Sequence, residues 1–170
     1  MLQLEPSFEI SIDNMLSQWT NVTFSHLSVI LANLRYLYML HQTHHWSSRG
    51  QMYYGDHLLF QRLYEEIGDE IDSVAERSIG LTDSNAVELC LQLQQMQKFA
   101  QDFGTAIPGQ NDFPKRSLIA EQNFINLLTV CTELMREQGT LTKGLENLLT
   151  GILDMHETHI YLLKQRCEEK

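Results

Sequence analysis

Between His41 and Arg77 the chain reads HQTHHWSSRGQMYYGDHLLFQRLYEEIGDEIDSVAER, a stretch rich in imidazoles and carboxylates. Laid out at 100° per residue from about Tyr54 onward, Phe60, Leu63, Tyr64, Ile67, Ile71 and Val74 form an apolar stripe. A second stripe runs beside it through His57, Gln61, Glu65, Asp69, Asp72 and Glu76. Imidazole and carboxylate along one helix line make a ligand set for iron, zinc or manganese rather than for magnesium alone. The plainer reading of such a stripe is the solvated face of an amphipathic helix.

Spacing separates these readings. His57 and Asp72 are fifteen residues apart, about 22 Å along a helix, so no single ion can touch both within one chain. Asp72 and Glu76 are one turn apart and can share an ion. A second copy of the helix running antiparallel would bring His57 of one chain level with Asp72 and Glu76 of the other, which is a twofold dimer, the commonest closed symmetry. The preceding segment adds ligands to that arrangement. Leu27, Leu31, Leu34, Tyr38, His41 and His45 step by three and four along one face, so two histidines occupy positions where a helix normally places leucine.

The string also resembles a known family. His45-Trp46, Gly50, His57, Asp72 and Ala75-Glu76-Arg77 stand at the spacings of the motif in the Dps mini-ferritins, over 33 residues. That resemblance implies ferroxidase centres in which His45 and His57 come from one subunit and Asp72 and Glu76 from its twofold mate. It further implies two irons per centre: Glu76 bridges them, His45 and Asp72 complete one site, and His57 helps hold the second. Trp46 would either quench radicals or simply pack. One position departs from the pattern, because the acidic ligand expected one turn after the second histidine is Gln61. A neutral amide oxygen binds iron more weakly than a carboxylate; Glu65 of the same chain, or Asp69 or Glu70 of the partner, are the groups that could replace it.

At 170 residues, 43% hydrophobic, with three prolines and nine glycines, the chain fits one mostly helical domain over 1–170. No apolar run reaches the length of a membrane span, and the acidic start MLQLEPSFEISIDNM lacks the basic residues of an export signal, so a cytoplasmic location is expected. Cys90, Cys131 and Cys167 are odd in number and scattered; they read as buried apolar side chains. Net charge is −10 and the first Lys or Arg is Arg35, so DNA binding through a basic tail is not expected.

The elements that must position these residues follow from caps and breakers. Residues 1–20 form a lead-in, a first helix runs from about Thr23 to Ser47, and a second ends near Ser78 with Gly80 as its stop. A crossover helix capped by Thr82, Asp83 or Ser84 extends to about Phe103, then a loop over 104–116. The third bundle helix spans about Pro114–Gln138 and the fourth about Leu141–Arg166, with Leu145, Leu148, Ile152, Met155, His159 and Leu162 as its heptad face. His156 and His159 could share a metal, but with no carboxylates identified opposite them they read as hydrogen-bonded bundle residues, His156 at the edge. The run His159-Ile160-Tyr161 with Leu163 also resembles the end of many mini-ferritins. The expected fold is thus an all-α, ferritin-like four-helix bundle with an extra crossover helix. The resemblance implies an iron-oxidising ferroxidase in a homo-oligomeric, dodecameric shell storing ferric mineral; the alternatives are a DNA-binding nucleoid protein or a shell with a degraded metal site.

Overall fold

The computed structural model describes residues 26–81, 84–102 and 112–167. The lead-in over 1–20, the Thr23 cap, Thr82 and Asp83, and residues 104–111 of the expected loop lie outside the described residues. Among the described residues there are five α-helices: α1 (His26–Ser47), α2 (Tyr53–Leu81), α3 (Leu89–Asp102), α4 (Phe113–Glu137) and α5 (Lys143–Cys167). A 3-10 turn, Ser84–Val87, precedes α3. The long helices α1, α2, α4 and α5 form the four-helix bundle, and α3 lies in the crossover.

Helix α1 is the centre of the packing. Every residue from Leu27 to Leu34 is buried, Ser28 and Asn33 included. A helix buried all round needs neighbours all round. It packs on α2 and α4, and α3 covers its remaining side. Gln92 donates to the Ser28 carbonyl at 3.0 Å and Ser28 donates to Gln95 at 3.3 Å, so the long crossover helix is tied to buried polar groups of α1.

Three sequence boundaries shift for local reasons. Helix α2 runs through Gly80 to Leu81, because a glycine costs a helix only about 1 kcal/mol and buried Val74 and Ser78 anchor the last turns. Helix α3 starts late; Glu88 accepts from the Leu91 amide at 2.9 Å and serves the capping role expected of Thr82, Asp83 or Ser84. Helix α5 begins at Lys143, with Thr142 accepting from the Leu145 amide at 3.2 Å. Gly50 and Gly139 adopt φ values of 85° and 69°, the left-handed conformation in which glycine is unstrained, and there the chain turns from α1 into α2 and from α4 into α5. Among the cysteines only Cys131 is buried, its thiol pushed up to about 12 by desolvation. Cys90 is exposed and Cys167 partly so, which corrects the reading of all three as core residues.

Candidate metal centres

His45 lies in the last turn of α1 and His57 in the first turns of α2, so the turn at Gly50 folds one onto the other. Their rings stack with centroids 3.7 Å apart. The His45 Nδ1–H donates to the His57 carbonyl at 2.8 Å, and the His57 Nδ1–H donates to the His45 carbonyl at 3.2 Å. A carbonyl oxygen only accepts, so each Nδ1 carries a proton, and in the tautomer this selects for a neutral ring the lone pair is on Nε2. Fixing one ring nitrogen on a carbonyl is how proteins orient imidazoles for metal. Tyr64 meets His45 edge-on at 5.4 Å and Tyr53 lies 5.1 Å from His57.

The other outer residues are not brought to this pair within one chain. Asp72 and Glu76 stand exposed on α2, about 22 Å or more further along it. Gln61 donates to Glu65 at 2.8 Å, which holds that carboxylate beside the position where the amide replaces an acid. Asp69 is exposed. Glu70 points inward instead, against His156, which removes it from the groups able to substitute for Gln61.

That inward turn belongs to a second cluster inside the bundle. His41 of α1, Glu121 of α4 and His156 and His159 of α5 are all 0% exposed. Glu121 sits at the centre. Its Oε1 accepts from His41 Nε2 at 2.7 Å and lies 3.3 Å from His159 Nδ1, while its Oε2 bonds to His156 Nδ1. The outer nitrogens of the α5 histidines meet α2: His156 Nε2 is 2.9 Å from Glu70 and His159 Nε2 is 2.9 Å from Glu66. Each α5 imidazole therefore spans two carboxylates. A surrounding layer orients the ligands, with Ser117 between His41 Nδ1 at 3.1 Å and His44 Nδ1 at 2.8 Å, and Arg62 on Glu66 at 3.0 Å.

Burial disfavours charge throughout this cluster, and the partners decide which groups keep it. On Glu121 desolvation is outweighed by the charge and hydrogen bonds of His156 and the bonds from His159 and His41, holding its carboxyl well below the usual range. On His156 burial is outweighed by Glu121 and Glu70, which raise it to about 9. At His41 burial prevails and lowers it; at His44 burial, then His41 and Arg116, take it to about 3. Neutral His41 donates to Glu121 and accepts the Ser117 hydroxyl proton, leaving the Ser117 oxygen to accept from His44, so one hydroxyl serves both rings, its proton one and its lone pair the other.

Sequence reasoning placed His41 and His45 in the core and missed most of the inner cluster. No carboxylates were assigned opposite His156 and His159, yet Glu121, Glu66 and Glu70 face them. The seam of α5 is Leu145, Leu149, Ile152, His156, His159 and Leu163, so His156 is fully core rather than at the edge, and Leu148, Met155 and Leu162 flank it. The missed signal was present in α4, where buried Ser117, Glu121, Phe124, Leu128, Cys131 and Met135 step by four and three: a glutamate on a core seam marks a buried charge with partners. Trp46 is 67% exposed in the single chain, so it has no packing role there.

No protein-family model matches the chain. It is 29% identical over 117 residues to the "Nutrient stress-induced DNA-binding protein" of Nostoc sp., a match covering 67% of this chain and 62% of that protein's length. Its structure is similar to that of Dps from Thermosynechococcus elongatus, with a TM-score of 0.71 at 22% identity over 86% of this chain and 90% of that one. It is also similar to the DPS protein of Vibrio cholerae O1, described as a member of a broad superfamily of ferritin-like diiron-carboxylate proteins, with a TM-score of 0.69 at 19% identity over 84% and 87% of the two chains. The fold is therefore the ferritin-like bundle of the Dps proteins, as the sequence motif implied. No helix among the described residues is long and apolar enough to cross a membrane.

Proposed function

We propose that this chain, folded as a Dps-type ferritin-like bundle, is a mini-ferritin that oxidises Fe(II) at centres shared between twofold-related subunits and stores the ferric product in a hollow homo-oligomeric shell of twelve. The observation that carries the reading is the reciprocal His45–His57 pair, two imidazoles held by each other's backbone with both Nε2 atoms kept as ligands. In the antiparallel dimer the partner's Asp72 and Glu76 complete the centre. Exposed Trp46, Met52, Tyr53, Tyr54 and Leu58 surround the histidine end of α2, an apolar rim that a second copy would cover. Iron is the substrate. Two Fe(II) ions each give up one electron, and hydrogen peroxide accepts both to become two hydroxide ions; with oxygen as oxidant the same ligands serve. The net charge of −10 favours cation uptake, and a cytoplasmic setting suits such a protein.

The direct test is stopped-flow Fe(II) oxidation by His45→Ala and Asp72→Ala assemblies. Each is expected to lose the fast phase by at least about 10-fold, since even residues behind the ligands matter by that much, with helical circular dichroism unchanged. Loss of folding in both variants would assign these residues to packing instead. Gln61 sets the second iron. With its amide tied to Glu65, the site holds one iron tightly through His45, Asp72 and Glu76, and a second weakly through His57 and the shared Glu76. Gln61→Asp adds a carboxylate one turn from His57, so anaerobic Zn(II) calorimetry is expected to show two unequal classes converging in the variant. Two tight classes already in the parent would mean that Glu65 or Asp69 supplies the ligand.

The name of the Nostoc relative includes DNA binding, and a nucleoid role is the second reading. The acidic balance opposes it, because duplex binding rests on clustered Lys and Arg against phosphate. No salt-sensitive shift of duplex DNA is expected in a gel.

A further inference from the structure

We propose that each chain holds a second divalent transition-metal centre inside its own bundle, independent of the dimer, with Glu121, His156 and His159 as its protein ligands and with Glu66 and Glu70 fixing the outer nitrogens of the two imidazoles. One ligand atom each from Glu121, His156 and His159 lie within 4.8 Å of one another, and all three residues are buried. Ligands bound cis at about 2.1 Å from one ion are about 3.0 Å apart, close to the 3.3 Å between Glu121 and His159 Nδ1, while Glu70 and Glu66 lie 2.9 Å from the opposite ring nitrogens and hold them in place. An ion can thus replace a bridging proton with small side-chain shifts and no movement of the helices.

Charge and donor chemistry point the same way. Glu121 and both α5 histidines have no solvent exposure, and a carboxylate buried there calls for compensating positive charge. Mixed imidazole and carboxylate donors select zinc, iron or manganese over calcium or magnesium. The ligands are also braced from behind, His41 on Glu121 and Arg62 on Glu66, as the outer groups of metal sites are. Glu66 and Glu70 are the partly exposed members, at 27% and 12% of their side chains, so an ion would reach the centre past α2. That helix turns these two residues inward and Asp72 and Glu76 outward, and one helix would then serve both centres.

The experiment uses the full chain carrying both His45→Ala and Asp72→Ala, stripped with chelator and titrated with Co(II) and Zn(II). Retention of at least one ion per chain, with visible Co(II) bands of nitrogen and oxygen ligation, is expected, and adding His156→Gln should weaken binding at least 10-fold. Crystals of the unsubstituted protein soaked in Zn(II) should show anomalous density in bonding contact with Glu121, His156 and His159. A helical double variant that binds no ion, or anomalous density confined to the outer histidines, overturns the proposal. Failure of the dimer-shared centre would read differently: the double substitution would then leave the parent's ion count unchanged.

Discussion

Assemblies rebuilt from equal amounts of His45→Ala and Asp72→Ala chains are expected to recover about a quarter of the parent's fast Fe(II) oxidation, although neither variant alone retains it. The number follows from twofold symmetry. In a mixed dimer one centre combines the substituted His45 position with the substituted Asp72 position, and the other combines an intact histidine with an intact aspartate. Random pairing makes about half of the dimers mixed, each with one working centre of two. The experiment depends on the distance along α2, since the His57 and Asp72 positions of a single chain are about 22 Å apart. Recovery near zero would mean that all ligands come from one chain. Mixing His45→Ala with His57→Ala serves as the control, because there no dimer holds an intact centre facing an intact pair, and no recovery is expected.

The pairing of His45 with His57 was legible in the sequence because its spacing is one-dimensional. His45, His57, Asp72 and Glu76 lie on two consecutive helices, and the separations of twelve, fifteen and four residues state which groups can meet within a chain and which need a second copy. The inner cluster draws on α1, α2, α4 and α5, whose relative rotation no local pattern records. His41 was recognisable as a core residue, but its partner Glu121 is 80 residues away. Glu66 was not singled out in the sequence, and Glu70 was read as a group of the partner that could replace Gln61. Only the turn of α2, fixed by burial of Phe60, Leu63, Ile67 and Val74, separates them from Glu65 and Asp69. A one-residue difference in seam on α5 had the same effect, placing His156 at an edge that it does not occupy. The length of α3 likewise depends on contacts far apart in sequence, Gln92 and Gln95 meeting Ser28 of α1.

Glu121→Gln is expected to be among the most destabilising single substitutions in the metal-free protein, by roughly 3–5 kcal/mol, the range for breaking a buried ion pair from one side. Its carboxylate bonds to His41, His156 and His159, all fully buried, and an amide can neither balance the charge of His156 nor accept at both ends. For a chain of this size such a loss lowers the unfolding midpoint by about 10 °C, whereas Glu65→Gln on the exposed face should stay within about 0.5 kcal/mol. The informative companion is the triple replacement Glu121→Leu with His156→Leu and His159→Leu. Exchanging a whole buried ionic cluster for packed apolar groups is often neutral or stabilising, and the neighbours Phe124, Leu149, Ile152 and Leu163 already form an apolar surround. Glu66 and Glu70, partly exposed, can turn to solvent once their imidazoles are gone. Urea unfolding in the presence of a chelator is therefore expected to rank the triple variant at or above the parent and the single variant far below it. A triple variant as unstable as Glu121→Gln would show that the cluster is kept for the stability of the bundle; the expected order leaves metal binding as the reason why three glutamates and three histidines are held at the centre of an otherwise apolar core.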